Sequence, residues 1–131
     1  AAQGIPCVGV NQAPLGVTKF WGPQDIAVPK VYRRVSSGEV IPFREVFLSS
    51  IANHRSSIEI HKAGVQLQES SSDEILEACK EMVHKLDGLP YSFNTETIEK
   101  TFLSLFQEEN YSYYSKTRVS QYFLKKYELY I

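Results

Sequence analysis

The sequence predicts an α/β fold with more helix than strand, and three observations carry that expectation. Pro6-Cys7-Val8-Gly9-Val10 is a small, apolar run without alternation that ends on polar Asn11. Such a run suits a strand buried on both faces, as in a parallel sheet covered by helices. Residues 71–86 carry helix punctuation at both ends around an apolar stripe. Residues 42–53 and 95–108 also repeat apolar positions at helical spacing, whereas strand-like alternation is confined to a short stretch at 65–68.

The chain's 131 residues are enough for one domain with its own core and short for two. A hydrophobic fraction of 43% with 22% charged residues is ordinary globular composition, which argues against a disordered chain. A net charge of -1 makes no electrostatic case for nucleic acid or an anionic membrane as partner. Cys7 and Cys79 share no metal or redox spacing, so both are expected to be buried thiols in a reduced, cytoplasmic compartment. No apolar run reaches membrane-spanning length and no signal peptide is visible. Ala1-Ala2-Gln3-Gly4 has the form of a helix tail closed by glycine. The chain is therefore expected to be the carboxyl-terminal piece of a longer protein.

Taken in order, the strand expected at residues 6–10 leads into a Gly- and Pro-rich stretch that runs to Pro29. Open α/β sheets gather ligands at the carboxyl ends of their strands, which would put Asn11 and this loop at a site. Lys19-Phe20-Trp21-Gly22-Pro23-Gln24-Asp25 sets the single Trp beside a Gly-Pro break, where it either caps the core or lines a ligand cleft. Asp25 to Tyr32 alternates weakly, and Pro29 demotes it to an edge strand or an extended segment. Lys30, Arg33 and Arg34 lie near an exposed turn; solvation is the plain reading, and phosphate binding is the functional one.

Pro42 is placed as the first residue of a helix reaching Asn53, with Phe43, Val46, Phe47 and Ile51 on its apolar face. His54 and His61 have no acidic or cysteine partner at metal spacing and read as surface residues. Residues 58–63 are ambiguous. Val65 to Gln68 alternates and reads as a short strand. Ser71 with Glu74 has capping-box spacing, and Ile75, Leu76, Ala78, Cys79, Met82, Val83 and Leu86 form the expected buried stripe. Glu77, Lys80 and Glu81 make the expected wet face, and Gly88 closes the helix. Asn94 or Thr95 caps a further helix with Ile98, Phe102, Leu103 and Phe106 inward. Residues 109–131 form a polar aromatic loop and a last short helix, capped by Ser120 and docking back through Tyr122, Phe123 and Tyr127. Leu76, Met82, Phe102 and Phe106 are the expected core.

Several stretches together carry a resemblance. They are Gly4-Ile5-Pro6-Cys7-Val8-Gly9-Val10-Asn11, Trp21-Gly22-Pro23-Gln24-Asp25-Ile26-Ala27-Val28-Pro29-Lys30, Pro42-Phe43-Arg44-Glu45-Val46, and Arg118-Val119-Ser120-Gln121-Tyr122-Phe123-Leu124-Lys125-Lys126-Tyr127. In this order they resemble the carboxyl-terminal part of a family of bacterial glycosyltransferases linked to surface-polysaccharide synthesis. The resemblance implies two facing Rossmann-like halves, a nucleotide-sugar donor held mainly by the carboxyl-terminal half, and a glycan acceptor held by the remainder of the parent chain. It carries over no catalytic residue. On it, Asn11, Trp21, Asp25 and Lys30 are the expected donor-binding residues, with Lys30 the cation for a diphosphate. No Asp-x-Asp pair occurs, so transfer without a metal or other cofactor is expected. The alternative is a non-catalytic helical module that binds a partner protein through its amphipathic helix and aromatic tail.

Overall fold

A computed structural model describes residues 4–18, 22–91 and 93–131. Among them the chain forms a small mixed α/β domain. Strands β1 (Val8–Gln12), β2 (Ile26–Pro29) and β5 (Arg118–Val119) make a parallel sheet in the order β1-β2-β5. Strands β3 (Val31–Arg34) and β4 (Val65–Gln68) pair antiparallel, with Val31 opposite Gln68 and Arg34 opposite Val65. A single residue, Lys30, separates β2 from β3, so one extended segment passes from the first sheet into the second.

The sheet corrects two expectations. β1 is an edge strand, half-buried throughout, and begins two residues later than expected. β2 holds the centre, with Ile26, Ala27 and Val28 all buried. Pro29 does not exclude it, for a reason visible in the ladder. Asp25 and Ala27 bond toward β5 through their carbonyls, so the missing Pro29 N–H would face the Ser120 carbonyl. That carbonyl already accepts from Leu124 N–H in the first turn of the last helix, at 3.0 Å. No sheet hydrogen bond is lost by placing proline there.

Helix α1 (Phe43–Leu48) is shorter than expected, and Pro42 is its N-cap rather than its first residue. Ser49 turns extended and its hydroxyl accepts from Ile51 N–H, which restarts the chain as a single-turn helix at Ser50–Asn53. The ambiguous segment is helix α2 (Ser57–Lys62), capped by Ser56 through Glu59 N–H at 3.1 Å. Helix α3 (Ser72–Leu86) has the expected bounds and a complete capping box between Ser71 and Glu74. Helix α4 (Glu96–Ser104) ends before Glu108, and α5 (Gln121–Lys126) starts under the Ser120 cap.

Phe43 of α1, Phe102 of α4 and Phe123 of α5 meet edge-on, with ring centres 5.2 and 5.9 Å from Phe43, and Phe106 extends the cluster from Phe102 at 5.6 Å. Met82, Phe102 and Phe106 are core as expected; Leu76 is not, being 51% exposed. The face of α3 is rotated from the expected one. Glu74, Ala78, Glu81 and Met82 point inward, and Leu76, Cys79, Val83 and Leu86 are exposed. The carboxylates win the inner face because each finds partners there. Glu74 accepts from Lys126 Nζ and Tyr127 Oη, both at 2.9 Å, and Glu81 accepts from Gln121 N–H at 3.0 Å. A buried carboxylate is tolerated when hydrogen-bonded in this way. The thiols also depart from expectation: Cys7 is half-buried and Cys79 exposed.

Among the described residues no helix is long and apolar enough to cross a membrane. The described half of the connection after β1 is anchored in the core. Leu15 is fully buried, its N–H donates to Tyr32 Oη at 3.1 Å, and its carbonyl accepts from Ser112 Oγ at 2.6 Å. Gly16 lies so close to Ala52 that an added Cβ would stand 2.7 Å from the Ala52 carbonyl oxygen.

Candidate functional site

Two concave regions flank the parallel sheet. The first lies at the carboxyl ends of β1 and β2, which are joined by Lys30 N–H donating to the Gln12 carbonyl at 3.0 Å. Asn11 and Lys30 therefore share one edge of the sheet. Asn11 is the extra residue of a bulge, since Gly9 pairs with Ala27 but Gln12 with Pro29. It takes a left-handed backbone at φ 55°, which Asn tolerates better than most residues. Its side chain is engaged: Oδ1 accepts from Ser70 N–H at 2.6 Å, and its own N–H donates to Ser70 Oγ at 3.2 Å. Among the described residues the Lys30 side chain makes a long ion pair to exposed Glu69, at 3.9 Å.

Lys30 also lines an open groove of about 820 Å³ between α2 and the β3–β4 pair. Its charge comes from Lys30 and Lys62, with the His61 imidazole beside them, and Val35, Ile58 and Leu67 supply apolar surface. That volume is within the range of small-molecule sites. Arg33 and Arg34 do not join it as free cations. Arg33 bonds Gln68 and the Gly38 carbonyl, and Arg34 pairs with Glu45.

Asp25 sits at the opposite edge, before β2. It is buried, and its carboxylate accepts from Cys7 N–H at 2.8 Å and Gly22 N–H at 2.9 Å. Burial pushes this carboxyl up, the hydrogen bonds from Gly22 and Cys7 N–H are among the effects that lower it, and the net result lies below its usual range. Asp25 thus ties the start of β1 to the turn before β2. The structure brings Asn11 and Lys30 together and leaves Asp25 apart from them; Trp21 lies outside the described residues, as do Phe20 and the segment at 1–3.

The second region is a cleft of about 330 Å³ against the free edge of β5, lined among others by Glu81, Lys85, Tyr91, Glu99, Arg118 and Gln121. Alternate N–H groups of a strand face opposite sides, so Val119 N–H points away from β2. It donates to Glu99 Oε2 at 3.0 Å, while Arg118 Nε donates to Glu99 Oε1 at 2.7 Å. Glu99 therefore closes the open edge of the sheet. Glu81 reaches the same cleft from α3. Its burial raises the carboxyl to about 7, Glu99 adds to the rise, and Gln121 N–H, Arg118 and Lys85 oppose it. Tyr91 donates its hydroxyl to Glu77, and burial followed by that carboxylate pushes its own pKa up. A second chamber of about 440 Å³ continues past Phe93, Asn94 and Thr95, sharing Glu99, Arg118 and Gln121 with the first.

Sequence reasoning did not find this cleft. A signal was present: Glu74, Ala78, Glu81 and Met82 fall on one helical face, and Glu99, Phe102 and Phe106 on another. A carboxylate in register with a buried stripe is a candidate site residue. Among the described residues no group of three or more His, Cys, Asp or Glu side chains is arranged to hold a metal ion. Compared with known proteins, the chain matches no family model, no curated protein and no solved structure.

Proposed function

We propose that this chain is the carboxyl-terminal part of a cytoplasmic, Rossmann-like glycosyltransferase. It would move a sugar from a nucleotide-activated donor to a cell-surface glycan acceptor, with the rest of the parent chain as its other half. The observation that supports this reading is the position of Lys30. It stands at the carboxyl end of the central parallel strand, in a groove whose other cation is Lys62, with the His61 imidazole beside it. Parallel sheets collect ligands at that edge. Glycosyl transfer sheds a nucleoside diphosphate, and cations placed at the developing charge stabilise its departure. The apolar lining from Val35, Ile58 and Leu67 suits a base or a sugar face.

The test is a titration of the chain with UDP and with UDP-glucose, followed by amide NMR. Saturable shifts at Lys30, His61, Lys62 and Gln66 are expected. Lys30→Ala and Lys62→Ala should each weaken UDP binding by about tenfold, the loss of one charge-assisted contact. Flat shifts at millimolar nucleotide, or variants that bind like the parent, would remove the reading.

A second reading has its own observation. Leu76, Cys79, Val83 and Leu86 recur at spacings of three and four along exposed α3. Such a ridge suits a module that docks on a partner helix. It predicts that Leu76→Lys with Val83→Lys changes the sedimentation of a complex formed with the parent protein, and leaves nucleotide binding unchanged.

A further inference from the structure

The cleft against β5 has no part in the donor reading, and its chemistry points elsewhere. Its lining mixes acceptors and donors in one enclosure. Glu81 and Glu99 both line it, and each carboxyl already accepts a backbone N–H, from Gln121 and Val119. Arg118 spends only its Nε on Glu99, and its terminal amino groups have no hydrogen-bond partner among the described residues. Gln121 Oε1 is buried and has no hydrogen-bond partner among the described residues. A buried amide oxygen left unbonded costs stability unless something donates to it.

Charge narrows the class of ligand. The lining sets two cations, Arg118 and Lys85, against two carboxyl groups, Glu81 and Glu99, and Arg118 is already paired with Glu99, so the cleft has no excess of positive charge to hold an anion such as phosphate. A purely apolar ligand would leave Gln121 and Arg118 unbonded. Half-exposed aromatic rings border both chambers. Tyr91 lines the first and Phe93 the second, with ring centres 5.9 Å apart, and Tyr122 stands 6.4 Å beyond Phe93. A compact molecule with hydroxyl groups on its rim and C–H groups on its faces satisfies all of these surfaces.

We infer that this cleft binds an uncharged sugar ring, with Gln121 Oε1 and the Glu81 and Glu99 carboxyl groups accepting from its hydroxyls, Arg118 donating to its oxygens, and Tyr91 and Phe93 packing on its apolar edge. The sugar site stands on the cleft alone and is independent of the glycosyltransferase reading, which places the acceptor on the remainder of the parent chain.

The test is an amide NMR titration of the chain with methyl α-glucoside, methyl α-galactoside and methyl α-mannoside, with inorganic phosphate in a parallel series. Saturable millimolar binding of at least one glycoside is expected, with shifts at Glu81, Glu99, Val119 and Gln121. Gln121→Leu, which removes the unbonded oxygen at nearly constant shape, should weaken that glycoside by about fivefold. Arg118→Lys serves as a second variant if Gln121→Leu does not fold, and should weaken it similarly. The inference is overturned if no glycoside saturates these amides, if phosphate saturates them in place of the glycosides, or if the folded variants bind like the parent. The nucleotide titration reads other amides, at His61, Lys62 and Gln66. Either assignment can therefore fail while the other stands.

Discussion

Replacing Glu81 with Gln tests the electrostatics of the cleft directly. Glu81 is 6% exposed, and burial raises its carboxyl from 4.5 to about 7. The unfolded chain gives up this proton near 4.5 and the folded chain only near 7, so between those values the folded state binds more protons. Stability contributed by Glu81 is therefore full below pH 4.5 and falls as pH rises through 7. At about 1.4 kcal/mol per pH unit of displacement, the loss between pH 4 and pH 8 is roughly 3 kcal/mol. The Gln variant keeps an oxygen for Gln121 N–H and cannot ionise. Urea unfolding of parent and variant at pH 4, 6 and 8 reads the difference, which cancels the titration of other groups. The variant should gain roughly 2–3 kcal/mol on the parent between pH 4 and pH 8. A difference that stays flat within about 0.5 kcal/mol would show that Glu81 is well solvated or better paired than its neighbours Glu99, Arg118, Lys85 and Gln121 imply.

Other expectations follow from packing. Phe102→Ala should cost about 3–5 kcal/mol in urea unfolding, whereas Leu76→Ala on exposed α3 should stay within about 0.5 kcal/mol; equal losses would contradict the rotated helix face. Asn11→Ala removes the bond from Ser70 N–H and puts a side chain without asparagine's tolerance of the left-handed region there, for a loss of about 2 kcal/mol, and Asn11→Gly, which is free to adopt that region, should lose only about 1 kcal/mol. If Ala is as stable as Gly in thermal melts, the bulge at Asn11 is wrongly described. Gly16→Ala should lower the melting temperature by forcing Ala52 and its neighbours apart, at about 1–3 kcal/mol, and an unchanged melt would count against the tight approach of this loop to the core.

Much of the local structure was legible in the sequence. The bounds of α3, its capping box, the Ser120 cap and the alternation of Val65–Gln68 are all set by residues within a few positions of one another. Such features depend on short-range hydrogen bonds and periodicity, and these are written in the chain directly. The central strand was not legible, because Pro29 looks disqualifying until its missing bond is seen to face a carbonyl that α5 has already taken. The inner face of α3 was not legible either. Apolar count favoured Leu76 and Val83, yet Glu74 and Glu81 occupy the interior because Lys126, Tyr127 and Gln121 reach them from 40 to 53 positions away. Lys30 was singled out as the best cation for a diphosphate among basic residues near an exposed turn, but its groove exists only where α2 meets the β3–β4 pair. The cleft of Glu81, Glu99 and Arg118 is likewise assembled from α3, α4 and β5. By itself the sequence determined that α3 and α5 form and that Ser71 and Ser120 cap them. Which faces turn inward, and which charges meet, was decided by tertiary structure, because a buried carboxylate is stable only beside partners that distant parts of the chain must bring to it.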